Sequence, residues 1–235
     1  EKMSVIIQEI VGTRHDDRFY PEISGTARSY NYYSSGHSKP EDGVVNLALG
    51  LGKTIVDGGY SWAYSPAFPK SGSPFNTIND MLKMTQTEFW SVNMGKPPEY
   101  NPVIETEYLI KSNLSNAETD GTLQQIVSTY DTDSDTVWPG LSGTGPRIIN
   151  FAPVLVAESL PLNKLVRTLL HACEKAMKAP VEIEFALTLT DPLKRFGFLQ
   201  MRPIAVSAEE ITVLPEEMLS DKVFISSGRV LGNGI

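Results

Sequence analysis

VEIEFALTLTDPLKRFGFLQMRPIAV, residues 181–206, decides the fold: two alternating polar/apolar runs flank an Asp-Pro reversal. In the first run Glu182 and Glu184 share one face, while Val181, Ile183 and Phe185 share the other. The second run alternates too, and a turn over 190–194 centred on Pro192 sets Glu184 opposite Gln200, Ile183 opposite Met201 and Glu182 opposite Arg202. This predicts a β-hairpin whose polar four converge on one side and whose apolar side is free for a core.

Two carboxylates on one strand offer hard oxygen ligands of the kind Mg²⁺ takes. An adjacent guanidinium suits bidentate contact with phosphate oxygens, and the set as a whole suits ATP. The competing reading is an ordinary cross-strand Glu/Arg pair on a solvated sheet face, which is common and contributes little to stability. Alternation alone favours that second reading.

Upstream of the hairpin, 160–178 holds the clearest helical pattern, with Leu162, Leu165, Val166, Leu169, Leu170, Cys173 and Met177 in one apolar stripe. Pro180 ends it and delivers the chain into the Glu182 strand. Near the N-terminus 4–11 reads as a strand ending at Gly12, and 26–30 as a second strand, most simply joined to it as a hairpin. A polar loop over 34–43 leads to a buried strand at 44–49 and the turn Gly50-Leu51-Gly52. From 60 to 102 the chain is rich in Ser, Pro, Gly and aromatic residues, with one short helix over 77–84. Residues 123–130 and 147–151 read as strands on either side of an acidic, glycine-containing loop.

The bulk properties narrow the function. With 235 residues, 41% hydrophobic and 20% charged, the chain is long enough to bury a good core. A formal net charge of -8 and a sequence pI near 5.0, with no basic cluster, argue against a nucleic-acid or anionic-membrane surface. A single cysteine, Cys173, rules out an internal disulfide framework and fits a reducing, cytoplasmic setting. No apolar run is long enough to span a bilayer, and no signal peptide stands at the N-terminus. The chain opens on Glu1 directly in a strand pattern and stops, over 227–235, in what reads as the start of another element. It is therefore expected to be a piece of a longer polypeptide.

Several tempting motifs fail on spacing. Gly50-Leu51-Gly52-Lys53-Thr54 holds Gly-Lys-Thr after a strand, but a P-loop needs glycine at 47, where Leu47 stands. Asp131, Asp133 and Asp135 alternate like a calcium loop, yet Thr136 and Ser142 occupy the positions that need Gly and Glu. His171 and Cys173 on one helix do not make a zinc site, and His15 and His37 fall in loops without a catalytic partner.

Four stretches, in order, resemble the nucleotide-binding domain of the phosphoenolpyruvate synthase and pyruvate phosphate dikinase family, an ATP-grasp fold. Residues 5–11 (VIIQEIV) are similar to its VxVQxMV strand, and 23–27 (ISGTA) with Asn31 to its ISGVAFTxNP. LGLGKTIVDG at 49–58 resembles WGLGExVVxG, and EIEF at 182–185 with LQMRPI at 199–204 resembles DIEWA followed by LQxRPI. The resemblance implies an α+β fold, the second ATP-grasp subdomain, with an antiparallel sheet packed by helices over 1–206. It also implies an irregular insertion at about 60–122 and a linker over 207–235 leading to a further domain.

For the site, it implies that Glu182 and Glu184 hold Mg²⁺ and that Gln200 and Arg202 touch the phosphates of ATP. The backbone of Gln8, Glu9, Ile10 and Val11 would meet adenine, with Lys53 near the ribose. It further implies a kinase-type phosphotransferase that passes a phosphoryl group to a histidine on a separate domain and then to pyruvate. The partners would be ATP, a preceding ATP-grasp subdomain and a phosphohistidine domain of the same polypeptide. The family's upstream lysine and arginine would lie before Glu1, and no T-x-H-A motif occurs, so this piece alone is expected to be catalytically incomplete.

Lys53 replaces the glutamate of GLGE, and Arg28 stands where the family has an aromatic residue. These departures keep two other readings open. One is a degenerate ATP-grasp module with a binding or regulatory role; the other is a dikinase-type enzyme with a different phosphate acceptor.

Overall fold

The alternation at 181–188 finds partners on both sides, and the sheet it forms organises the rest of the chain. The computed structural model describes residues 5, 7–34, 37–71, 75, 77–99, 101, 103, 108–189 and 194–204. In chain order the first half contains β1 (Thr13–His15), β2 (Arg18–Tyr20), β3 (Ile23–Arg28), β4 (Val44–Ala48), α1 (Lys53–Val56), β5 (Trp62–Tyr64), α2 (Ile78–Lys83) and β6 (Glu88–Asn93). The second half contains β7 (Leu109–Asn113), α3 (Leu114–Thr119), β8 (Val127–Asp131), β9 (Thr136–Pro139), β10 (Arg147–Ile149), α4 (Ala152–Leu155), α5 (Leu162–Met177), β11 (Val181–Thr188) and β12 (Arg195–Pro203).

The central sheet is antiparallel throughout, in the order β12-β11-β3-β4-β5. Two smaller antiparallel sheets, β1-β2-β6-β7 and β10-β8-β9, complete an α+β fold with few helices. Helix α5 turns Leu162, Val166 and Leu170 onto the central sheet, where they join Val181, Ile183, Phe185 and Leu187 of β11 with Ala27, Val45 and Leu47. Each such fully buried branched or aromatic side chain is worth about 1.5–3 kcal/mol. Leu165 and Met177 remain at the surface, so the buried stripe is narrower than the sequence pattern suggested. Gly25 faces Phe185 across the β3–β11 ladder, and a Cβ at this position would lie 2.3 Å from the ring. The absent side chain gives the phenyl group its slot, where it stacks on Phe196 with ring centres 5.3 Å apart.

The hairpin register is the expected one at its critical end: Glu182 faces Arg202, Ile183 faces Met201 and Glu184 faces Gln200. Beyond Glu184 a β-bulge intervenes, so that Phe185 faces Phe198 instead of Leu199. The turn at 190–193 lies outside the described residues, as does the expected linker at 207–235. Helix α2, with Thr77 as its N-cap accepting from the Asp80 amide, and strand β4 also form where the sequence placed them.

Other expectations are corrected. The strand read into 4–11 does not form over its described residues 7–11; Ile7 is 93% exposed and Ile10 is exposed too. Without a partner ladder to satisfy its backbone, a β-rich sequence has no reason to stay a strand. Among the described residues that segment forms no hairpin with 26–30 either. Instead β1 and β2 form a tight hairpin, and β3, which ends at Arg28, pairs with β11 and β4. Residues 60–102 are more regular than expected, since β5 and β6 both lie within them.

Strand β2 is fastened by a buried polar cluster. The Tyr20 hydroxyl donates to Asp120 Oδ2 at 2.7 Å and lies 3.2 Å from Thr122 Oγ1, while Arg18 Nη2 donates to Asp120 Oδ1 at 2.9 Å. Burial, first, and the neighbouring Asp120 push the Tyr20 hydroxyl far above its ordinary range, so it is a neutral donor at every relevant pH. Tyr20→Phe removes that donor from a fully buried site and is expected to cost about 1–2 kcal/mol in urea unfolding.

Candidate functional site

Strand alternation puts Glu182 and Glu184 on the face of β11 opposite the α5 core, and the two flanking strands bring an arginine to each side of Glu182. Arg28 of β3 and Arg202 of β12 are both its register partners. Arg202 Nε donates to Glu182 Oε1 at 2.7 Å and its Nη2 donates to the same oxygen, while Arg28 Nε donates to Glu182 Oε2. The Glu182 side chain is 2% exposed, those of Arg28 and Arg202 44% and 56%. Burial alone would raise the Glu182 carboxyl, but the hydrogen bonds and charges of Arg28 and Arg202 outweigh it and hold the group below the ordinary carboxylate range. The same pairing raises Arg202.

Around this triad opens a cavity of about 510 Å³ lined by Arg28, Tyr30, Asn31, Tyr32, Glu182 and Arg202, among others. The tyrosine wall is held in shape locally. Asn31 donates its amide to the Pro40 carbonyl and accepts the Tyr33 amide at its side chain, and the Tyr30 and Tyr32 rings meet edge to face at 5.2 Å. Gly43, at φ 74°, lets the turn before β4 pass within 2.4 Å of the Arg28 carbonyl, measured from where a Cβ would stand, so only glycine fits there.

Of the residues singled out in the sequence, Glu182 and Arg202 are in direct contact. Glu184 and Gln200 form the next pair on the same face; Glu184 is half-buried and Gln200 exposed. The Glu184 side chain makes no hydrogen bond or ion pair among the described residues, although its charge is felt by Arg202. Gln8, Glu9 and Val11 run along the outer side of β12: Gln8 Nε2 donates to the Phe198 carbonyl, Glu9 meets Arg195 at 3.4 Å, and Val11 packs on Gly197. Phe198 precedes Arg202 by four residues, so this stretch meets the strand roughly 13 Å from the triad. Ile10 is exposed nearby.

Lys53 lies elsewhere, beyond the Ala48 end of β4, whereas Arg28 pairs with Val44 at the other end. Its ammonium binds Asp57 at 2.7 Å and sits 5.6 Å over the Trp90 ring. The acidic loop that resembled a calcium site is the β8–β9 hairpin turn, satisfied internally by Ser134 donating to Asp131 and Tyr130 to Asp135.

Sequence reasoning did not point to Arg28 as a partner of Glu182, nor to the tyrosine wall. The SYNYY run at 29–33 was the available signal for the wall; the Arg28 contact required knowing that β3 pairs with β11. Magnesium takes one or two carboxylates together with phosphate oxygens in most nucleotide sites. Among the described residues no three His, Cys, Asp or Glu side chains converge. Glu184 alone offers an uncommitted carboxylate, which fits an ion arriving on a phosphate ligand and not a dedicated protein cage; both oxygens of Glu182 are committed to arginine.

A family model described as pyruvate phosphate dikinase, AMP/ATP-binding domain, matches residues 1–222 of the 235, a span that includes every residue of the site. No curated protein matches the sequence. Among the described residues no helix is long and apolar enough to cross a membrane.

Proposed function

The chain belongs to the pyruvate phosphate dikinase AMP/ATP-binding domain family, and we propose that it holds ATP for phosphoryl transfer within a larger dikinase-type phosphotransferase. The observation that carries this reading is the polar row of the β11–β12 hairpin, Glu182, Glu184, Gln200 and Arg202 on one face, with Glu182 and Arg202 lining an open cavity. Arg202 and Gln200 bind phosphate oxygens in this reading, and Gln8 to Val11 supply the adenine-side edge. Mg²⁺, when bound, would neutralise phosphate charge, with Glu184 as its protein ligand. Phosphoryl transfer asks these side chains for positioning and charge compensation, not covalent chemistry. The acceptor in this proposal is a histidine on another domain, and pyruvate after it.

Calorimetry with Mg-ATP tests the reading on the full chain. Arg202→Ala and Glu184→Gln are each expected to weaken binding by about 1.5–3 kcal/mol, the worth of one charge-assisted contact. Unchanged affinity in both variants ends the assignment. A second reading, a nucleotide-binding module without turnover, draws on Lys53, whose ammonium is tied to Asp57 and Trp90 and so is not free as a ribose contact. Tight Mg-ATP binding with no phosphoryl transfer in the longest natural polypeptide would favour it.

A further inference from the structure

Arg28 replaces an aromatic residue of the family pattern, and the fold gives it a specific place: the second guanidinium on a buried carboxylate, at the rim of the 510 Å³ cavity. Two features separate this from a surface ion pair. First, the carboxylate is nearly inaccessible while both arginines remain about half exposed, so the acid is the anchor and the cations are the presented groups. Second, the donors are only partly spent. Arg28 uses Nε on Glu182, and Arg202 uses Nε and Nη2, so among the described residues Nη1 and Nη2 of Arg28 and Nη1 of Arg202 have no protein acceptor. Two cations and one anion leave the triad one positive charge in excess, with Tyr30, Tyr32 and Tyr33 beside it.

Guanidinium groups with free terminal N–H donors match the geometry of a phosphate group. Holding two of them on one fixed carboxylate removes much of the side-chain freedom that binding would otherwise have to freeze. We propose that Arg28 is a second phosphate-binding residue acting beside Arg202, and that Glu182 is a positioning residue for both guanidiniums, not a metal ligand. The inference rests on the nucleotide reading above. Its ligand chemistry is a phosphate oxyanion, carried either by a nucleotide tail or by free pyrophosphate.

The test is calorimetry on the full chain with ATP and with inorganic pyrophosphate, each in EDTA and in excess Mg²⁺, with thermal melts to verify folding. Arg28→Met is expected to weaken ATP binding at least about tenfold in both media, the loss of one charge-assisted contact. Arg28→Lys, which keeps the charge and loses the fork, is expected to fall between. Glu182→Gln should weaken binding while leaving the ratio of affinities with and without Mg²⁺ unchanged, and Glu184→Gln should lower that ratio. A metal-ligand role for Glu182 would not separate these two variants.

ATP binding tighter than pyrophosphate assigns the phosphate to a nucleotide tail; equal binding, equally lost in Arg28→Met, assigns it to a free phosphate ligand. Wild-type affinity in Arg28→Met and Arg28→Lys overturns the proposal, as does a Glu182→Gln variant that loses its Mg²⁺ dependence as Glu184→Gln does. If those results come with weakened binding in Arg202→Ala, the nucleotide reading survives without this one. A wild-type chain that binds neither ligand removes both.

Discussion

Replacing both guanidiniums at once, as Arg28→Met with Arg202→Met, is expected to destabilise the fold by about 3–5 kcal/mol near neutral pH, the cost of leaving a buried charge without its partners. The magnitude follows from geometry. Glu182 is 2% exposed, and the two substitutions remove every hydrogen bond it accepts from arginine. Either single variant leaves one guanidinium in place and should cost much less.

The pH dependence should invert along with the loss. In the wild type, burial pushes the Glu182 carboxyl up but the arginines hold it below its unfolded value, so its contribution is complete above that value and fades as acid takes the pH down through the folded one. In the double variant burial acts alone and raises the carboxyl. Stability is then retained in acid and lost as pH rises through the unfolded and then the raised folded value. Adding Glu182→Gln should recover most of the loss at neutral pH and flatten the profile. Urea unfolding from about pH 3 to pH 8 reads all three effects; a double variant whose stability still rises with pH in the carboxylate range would show that Glu182 is solvated in solution.

Phe185→Ala is expected to be comparably severe, at about 3–5 kcal/mol. The ring is 1% exposed, stacks on Phe196, and occupies the space above Gly25. Truncation leaves a cavity bounded by two sheet strands, which cannot collapse without breaking their ladder. The opposite change tests the same slot, since Gly25→Val drives two methyl groups into a ring already 2.3 Å from the Cβ position and should cost about 1–3 kcal/mol by overpacking. Combined, the variants should destabilise by less than their sum, because valine fills part of the volume that phenylalanine leaves. Strict additivity in the double-mutant cycle would show that the two residues do not share that space.

The parts of this fold that the sequence disclosed are those built from local pattern. The α5 helix, the short α2 helix, strand β4 and the pairing of Glu182 with Arg202 all rest on local pattern or turn chemistry within about twenty residues. Strands β1, β2 and β5 are three residues each, too short for any period to register. In β6 the buried positions are Phe89 and Ser91, so a serine hides the alternation. Residues 5–11 mislead in the other direction: they are rich in β-branched residues, yet over 7–11 they only run beside β12 through side-chain contacts. The shared face of Glu182, Glu184, Gln200 and Arg202 in the candidate site was legible, because the four lie on one hairpin. Arg28 was not, since it reaches Glu182 across 154 residues of chain and only the β3–β11 pairing brings them together.

That β3–β11 seam joins the first and last thirds of the described chain, and it bears on biosynthesis. While the polypeptide is still emerging from the ribosome, β3 waits with one edge bare until β11 has been made, so its partner contact is among the slowest to close. Arg28 and Arg202 can share a carboxylate only after that closure. In the proposed role, capture of a phosphate-bearing ligand would therefore report that the early strands and the β11–β12 hairpin have been joined.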